Sequence, residues 1–274
     1  MYEGIAVIEK FEGWDDWFSK DKCILLSKLP PGEYCENMGI VFKGEGDAIG
    51  TKEHGIVKGD RVVQSKRYFP CGLKALNTEQ TIALDLLNDD SVPLVTLFGA
   101  AGSGKTLLSS AHAFHSLKKG FVDKIVIAKS MTPVGRDVGF LKGTLEEKVI
   151  PWLGPFFDAF EKCGEPKFVI ERMIDDGKIE ISPISFIQGR SFSNTILIVD
   201  EVQNLSMDIV KQVITRAGEN CKVLLLGDPS QRFERGDIDL NSFVEKAKSS
   251  ELIGHVCFRK SVRSKLAEWG VKNL

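Results

Sequence analysis

Residues 97–108, LFGAAGSGKTLL, place a glycine-rich loop between an apolar run and a segment with helical spacing. The loop fits the pattern G-x-x-x-x-G-K-[ST], whose glycines let the backbone turn tightly enough for its N–H groups to surround a phosphate. The positive end of the following helix adds to this attraction. Because the loop follows a predicted strand and opens a predicted helix, this stretch predicts a nucleotide-binding strand, loop and helix.

Two side chains of the loop have predicted roles in binding the phosphates and the metal. Lys105 supplies a mobile positive charge for the β- and γ-phosphates, and Thr106 offers its hydroxyl to Mg²⁺. The residues assigned to nucleotide binding are Gly99, Ala100, Ala101, Gly102, Ser103, Gly104, Lys105 and Thr106. A GTPase is disfavoured, because the sequence contains no N-K-x-D guanine signature.

Apolar runs and helical segments alternate through the rest of the chain. Compact runs rich in Val, Ile and Leu predict strands in residues 93–99, 123–129, 178–183, 195–201, 222–228 and 253–258. Helical spacing fills 106–119 and 206–218, the latter with Ser206 as its predicted N-cap. This alternation predicts an α/β fold of the RecA-like P-loop NTPase type, with a mainly parallel sheet and helices on both faces. Ligands of such sheets gather at the carboxyl ends of the strands.

The first part of the chain has a different composition. Residues 1–70 are rich in Gly and turn signals, with short β-like pieces at 38–44 and 60–69. We therefore predict a small β-rich module over 1–70, followed by an α/β domain over 71–274.

Composition narrows the classes of partner. The formal net charge of −2 gives no global attraction for nucleic acid, so such binding requires a local basic surface. No apolar stretch approaches the roughly 18 residues of a membrane span, and the N-terminus lacks a signal-peptide pattern. A cytoplasmic protein is expected.

The six cysteines form no C-x-x-C pair, so we expect buried thiols rather than a metal site.

Two further apolar runs end in polar residues. ILIVDE (196–201) ends in Asp200, expected to hold Mg²⁺ through water, and Glu201, expected to orient or deprotonate the attacking water. That pair favours hydrolysis over a small-molecule kinase without excluding one. VLLLGDPSQ (223–231) ends in a turn with Gln231, whose amide is expected to contact the γ-phosphate.

Gln80 precedes the loop in LNTEQTIALDLL (76–87). Its amide carries both a donor and an acceptor and can therefore bind the two adjacent edge groups of adenine. The alternative is a capping function for this stretch, since Asn77 or Thr78 would cap the same helix. Chemistry alone leaves both interpretations open.

In this order, Gln80, GAAGSGKT, IVDEVQN and GDPSQ resemble the ATPase core of the PhoH family, which is related to superfamily 1 helicases. The resemblance extends through 132–160 and 181–195 and covers about residues 70–274. It implies ATP and Mg²⁺ as cofactors, with Gln80 on adenine and Gln231 sensing the γ-phosphate. The front region resembles the connector that follows a PIN ribonuclease in two-domain relatives, but residues 1–70 lack the acidic cluster of that nuclease.

The resemblance also implies a catalytic arginine and an oligomer. HVCFRKSVRSKLAEW (255–269) is similar to the last motif of the family, where Arg263 takes the arginine position and Arg259 is the second choice; a plain surface role is the alternative. Related helicases carry two cores, whereas this sequence has room for one. Arg263 is therefore expected to act on a neighbouring copy, which implies a homo-oligomeric ring, and the family suggests a hexamer.

A loop after the second strand of the α/β domain is the candidate nucleic-acid surface. Its cations could meet phosphates and its aromatic ring could stack on a base. The candidates are Lys129, Thr132, Arg136, Phe140 and Lys142. Alternatively, Arg136 and Lys142 pair with Glu146 and Glu147, and Phe140 packs internally. The sequence departs from the family at two places: it has Lys-Ser at 129–130, where relatives usually have Arg-Pro, and residues 231–237 are more charged than usual. The identity of the binding partner is therefore left open.

The leading hypothesis is an ATPase that binds or unwinds RNA or single-stranded DNA, with helicase activity as an extension. The alternative is an ATP-dependent switch that binds a protein partner, such as a separate nuclease, without moving along nucleic acid. A small-molecule kinase would need a second substrate pocket and an Arg-rich lid, and it is disfavoured by the pattern of Glu201 and Gln231.

Overall fold

The computed structural model describes residues 2–9, 11, 17, 22–43, 53–64, 67–129, 154–187, 189–231 and 240–259. The strands are β1 (Ile5–Glu9), β2 (Cys23–Leu25), β3 (Gly39–Lys43), β4 (His54–Lys58), β5 (Arg61–Val63), β6 (Leu94–Gly99), β7 (Lys124–Lys129), β8 (Ile179–Pro183), β9 (Thr195–Asp200), β10 (Cys221–Gly227) and β11 (Ile253–Phe258). The α-helices are α1 (Thr78–Asn88), α2 (Lys105–Lys119), α3 (Gly154–Lys162), α4 (Lys167–Asp175), α5 (Met207–Ile214) and α6 (Leu240–Ala247).

The first five strands form a separate sheet in the order β1, β3, β4, β5, β2. β1 runs parallel to β3, and the other strand pairs are antiparallel. Apolar side chains pack into a small core on this sheet: Ile8, Trp17, Ile24, Leu29, Met38, Ile40, Phe42, Val57 and Val62. This sheet is the β-rich region predicted from the sequence, although within 60–69 the strand covers only Arg61–Val63.

A polar clamp, formed by Asn37, Lys58 and Asp89, ties this small sheet to residues far along the chain. The buried Asn37 amide donates to the carbonyls of Glu251 and Ile253, at 2.8 and 3.1 Å. Lys58 Nζ donates to Asn37 Oδ1 at 2.6 Å and pairs with Asp89 at the same distance. Because Asn37 lies in the left-handed region, with φ 62°, its backbone conformation is one that Asn adopts more readily than most residues.

Strands β6 to β11 form one six-stranded sheet flanked by helices, which confirms the predicted α/β class. β11 pairs with β6 in parallel, and β10, β9, β7 and β8 follow one another in that order, also in parallel. All six predicted apolar runs are strands in the structure. Their nearly continuous burial is typical of a parallel sheet covered on both faces.

Internal packing divides the chain into two compact units. One comprises Met1–Phe69, Lys74–Ser103 and Leu240–Leu274, and the other Pro70–Leu73 and Gly104–Asp239. The predicted boundary between 1–70 and 71–274 stays a prediction. None of the helices in the described ranges has the length and apolar character of a transmembrane segment.

Helix α2 follows the glycine-rich loop and packs within the second unit. Its Phe114 is fully buried and packs on Phe160 of α3, with the ring centroids 5.2 Å apart. Gly120 caps the end of the helix with a left-handed backbone, φ 71°. The position of Lys105, the first residue of α2, therefore depends on this aromatic packing.

Candidate functional site

The glycine-rich loop has the backbone that its sequence requires. Gly102 and Gly104 have φ values of 81° and 101°, which L side chains rarely adopt. A Cβ on Gly99 would lie 2.5 Å from the carbonyl oxygen of Phe258. The close approach of this backbone therefore also requires glycine at position 99. Gly104 is the N-cap of α2, and the helix starts at Lys105. The backbone N–H groups at this helix start are the donors that a phosphate needs.

Gln80 is buried and already bound within its own unit. Its Nε2 donates to the Ser103 carbonyl at 3.0 Å, and its Oε1 accepts from the Leu76 N–H at 2.8 Å. The Asn77 side chain caps α1 by accepting from the Gln80 N–H at 2.9 Å, which confirms the capping interpretation for Asn77. The Gln80 amide therefore braces the loop, and its contact with adenine stays a prediction.

A cavity of about 350 Å³ lies beside the first turns of α1. It is lined by His54, Arg67, Tyr68, Phe69, Lys74, Ala75, Leu76, Asn77, Thr78, Thr81 and Leu84. The Phe69 side chain is 48% exposed and that of Leu76 75% exposed. The volume falls within the range of small-ligand pockets.

The acidic pair stands at the carboxyl end of β9. Asp200 is buried, and its Oδ1 accepts from the Glu201 N–H at 3.0 Å. Burial raises the pKa of Asp200, while Lys129 and Lys105 act in the opposite direction. Glu201 has a left-handed backbone, with φ 58° and ψ 42°. A non-glycine residue in this region carries strain that folds often keep at functional sites, and here it is the residue directly after β9.

Lys129 lies beside this acidic pair, a contact that the sequence pattern does not predict. It pairs with Asp200 across the strands β7 and β9. Its Nζ is 3.6 Å from Asp200 Oδ2 and 4.0 Å from Glu201 Oε1. The assignment of Lys129 to nucleic acid stays a prediction, and the structure adds a second environment for the same ammonium group.

Gln203 connects the acidic pair to the end of β10. Its Nε2 donates to Glu201 Oε2 at 2.5 Å, and its Oε1 accepts from the Asp228 N–H at 3.0 Å. Gln203 lies within IVDEVQN, where the sequence alone predicts no role for it. The sequence does offer one indication of a role, because an amide placed three residues after a strand-end acid can both donate and accept a hydrogen bond. The bridge links Glu201 to the turn that carries Gln231.

The turn after β10 is built around Asp228. Its Oδ1 accepts from the Ser230 N–H at 3.0 Å and the Ser230 hydroxyl at 2.6 Å. The Gln231 N–H donates to the Asp228 carbonyl at 3.1 Å, and the Gln231 side chain is exposed. Asp228 Oδ2 is buried and finds no hydrogen-bond partner among the described residues.

The donor set near Asp200 fits Mg²⁺. This ion prefers carboxylate, hydroxyl and water oxygens, and Asp200 Oδ2 and Glu201 Oε1 already face a cation, Lys129. A buried acceptor without a partner, such as Asp228 Oδ2, is one that an ordered water or ion satisfies. Thr106 lies in the first turn of α2, and its contact with the metal stays a prediction. The residues present are therefore compatible with the predicted metal.

The second-choice arginine is already bound by acids. The Arg259 guanidinium pairs with Glu3, Nε to Oε1 at 3.0 Å, and its backbone N–H donates to Glu79 at 3.2 Å. This pairing raises the pKa of Arg259.

The remaining predicted site residues lie outside the described residues: Thr132, Arg136, Phe140, Lys142 and Arg263.

Comparison with known proteins gives a family match over most of the chain. The model of the family described as PhoH-like protein matches residues 72–274. The chain is 39% identical to the protein PhoH2 of Bacillus subtilis over 208 residues, 72% of this chain and 46% of that protein. It is 35% identical to PhoH2 of Mycolicibacterium smegmatis over 222 residues, 79% of this chain and 49% of the relative.

The similarity extends to further proteins. The protein PhoH of Escherichia coli is 34% identical over 184 residues, 65% of this chain and 52% of its own length. Among solved structures, the large terminase of a thermophilic bacteriophage matches with a TM-score of 0.47 and 13% identity, over 73% of this chain and 50% of the terminase chain. The chain spans about half the length of the curated relatives it matches.

Proposed function

The chain belongs to the PhoH-like protein family, and we propose that it binds ATP, hydrolyses it with Mg²⁺, and couples this reaction to RNA or single-stranded DNA. The observation that carries the ATPase proposal is the bonded series from Glu201 through Gln203 to Asp228, in the chain that also holds the glycine-rich loop. It joins the residue expected to act on water to the turn expected to sense the γ-phosphate.

In this proposal each side chain has a separate task. The loop N–H groups and Lys105 bind the phosphates, while Thr106 and Asp200 hold the metal directly or through water. Bound Mg²⁺ would neutralise phosphate charge. Glu201 orients the attacking water and accepts its proton, and Gln203 fixes the rotamer of Glu201. Gln231, at the end of the Asp228 turn, contacts the γ-phosphate and reports its loss.

Phosphate release is the first test of the proposal. We expect Mg²⁺-dependent turnover of ATP that EDTA abolishes and that single-stranded RNA or DNA accelerates. Lys105→Ala should weaken ATP binding about tenfold or more, because hydrogen bonds to charged groups contribute about 1.5–3 kcal/mol. A strand-separation assay on the same samples tests unwinding.

The outcomes separate the two hypotheses. Absence of turnover with every nucleic acid tried would contradict the ATPase proposal. Slow turnover that is indifferent to nucleic acid would contradict the coupling, and it would favour an ATP-dependent switch that binds a protein partner.

The second test concerns assembly. We propose a homo-oligomeric ring, of six subunits by family resemblance, in which Arg263 serves the site of a neighbour. Arg263→Ala should slow hydrolysis by about 10³-fold, the lower range for an arginine that stabilises transition-state charge, with ATP binding retained. Light scattering after gel filtration in Mg·ATP measures the mass. A stable monomer, or a wild-type rate in the variant, would reject this arrangement.

A further inference from the structure

Lys129 has a position that the sheet itself fixes. It is the last residue of β7, and its pairing with Asp200 follows from the parallel register of β7 and β9. Residues Ile125 to Ala128 are buried, which holds the strand end in place. The Lys129 side chain is only 24% exposed. Its ammonium group is therefore confined near the acidic pair rather than free to sample solvent.

The Lys129 ammonium group faces one carboxylate oxygen of each acid, while the other oxygen of each acid accepts a hydrogen bond from a neighbouring residue. Asp200 Oδ1 accepts from the Glu201 N–H, and Glu201 Oε2 accepts from Gln203. The other two oxygens, Asp200 Oδ2 and Glu201 Oε1, are the ones at 3.6 and 4.0 Å from Lys129 Nζ. A divalent cation bound at Asp200 would use Oδ2, the oxygen that faces Lys129. Lys129 and the metal therefore compete for one place.

A second ammonium group strengthens this competition. Lys105 also acts to lower the pKa of Asp200, so this carboxylate experiences the positive charge of two lysines in the nucleotide-free protein. A free divalent cation entering here would meet Lys129 at close range, where repulsion is weakly screened. A nucleoside triphosphate brings several negative charges of its own, which give Lys129 an alternative partner.

We infer that Lys129 is an internal counter-ion that occupies the acidic pair in the nucleotide-free protein, excludes free divalent cations, and admits the metal only together with a nucleoside triphosphate. This inference deepens the proposed function and rests on it for the identity of the nucleotide. Lys129 acts through Asp200 and Glu201 and is a positioning residue.

Titration with Mn²⁺ in the absence of nucleotide tests the counter-ion directly. Electron paramagnetic resonance of free Mn²⁺ gives the dissociation constant. We expect weak binding to the wild type and about tenfold tighter binding to Lys129→Met, since removal of one charge at about 4 Å relieves the repulsion. Lys129→Arg should bind as weakly as the wild type. Adding Asp200→Asn to Lys129→Met should abolish the gained affinity.

Lys124→Met is the matched control. Lys124 lies on the same strand with a similarly exposed side chain, but it pairs with Glu180 at 2.5 Å. Its replacement should leave Mn²⁺ affinity unchanged. Equal Mn²⁺ affinities in the wild type, Lys129→Met and the second variant Lys129→Gln would overturn the inference, as would tightening in Lys124→Met.

The experiment separates this inference from the proposed function. The Mn²⁺ titration contains no nucleotide, so it reads the counter-ion whether or not the protein hydrolyses ATP. Binding of a fluorescent ATP analogue is measured in parallel. If Lys129→Met leaves Mn²⁺ affinity unchanged while the ATP analogue still binds, the inference alone is overturned. If Lys129→Met tightens Mn²⁺ binding but the ATP analogue does not bind, the proposed function and the role of nucleotide in admitting the metal are overturned.

Discussion

Glu201→Gln should slow ATP turnover by about 10²–10⁴-fold, the range for removal of a general base, while Mg·ATP binding stays within a factor of about three of the wild type. The substitution keeps the size of the side chain and an acceptor for Gln203, whose bond to Glu201 Oε2 holds the rotamer. It removes the charge and the ability to take a proton from water. Steady-state phosphate release and anisotropy of a fluorescent ATP analogue measure the two quantities.

Glu219→Gln provides the matched control for this experiment. Glu219 is exposed and lies just before β10, so the same chemical change is made away from the acidic pair. It should leave turnover unchanged. If Glu201→Gln turned over ATP at the wild-type rate, Glu201 would have no role in activating water, and another group would have to be sought.

Phe114→Ala should lower the free energy of unfolding by about 3–5 kcal/mol, as expected for removal of a fully buried aromatic ring. The ring is 0% exposed and packs on Phe160. Because folded proteins are stable by only about 5–15 kcal/mol, this is a large part of the total. Urea denaturation followed by circular dichroism measures the change.

Phe121→Ala separates burial from residue type. Phe121 follows α2 closely in sequence, but its side chain is 65% exposed. Its replacement should change stability by no more than about 0.5 kcal/mol. Equal losses in the two variants would show that the packing of Phe114 on Phe160 is not what anchors α2.

Local patterns predicted much of the fold. The apolar runs are strands, Ser206 caps α5 by accepting from the Ile209 N–H, and Asn77 caps α1. These features depend on residues within a few positions of one another, and the sequence displays them directly. The placement of Asp200 and Glu201 at a strand end follows from the same reasoning.

The contacts of the site depend on strand order, which the sequence does not display. Lys129 meets Asp200 because β7 lies next to β9, although β8 comes between them along the chain. Gln203 reaches Asp228 because β9 and β10, which precede these two residues, are neighbours in the sheet, although α5 lies between them along the chain. Neither partner could be read from spacing, since both require knowledge of which strands are neighbours.

The clamp made by Asn37 has a consequence for the order of events during synthesis. Its amide bonds to carbonyls that are 214 and 216 residues further along the chain. Those carbonyls emerge from the ribosome after β7, β9 and β10, so the strands of the second unit are available earlier than the partners of Asn37. Because domains fold as units while the chain grows, the part that begins first is expected to mature last. Until Glu251 and Ile253 arrive, the N–H groups of the Asn37 side-chain amide must be satisfied by water.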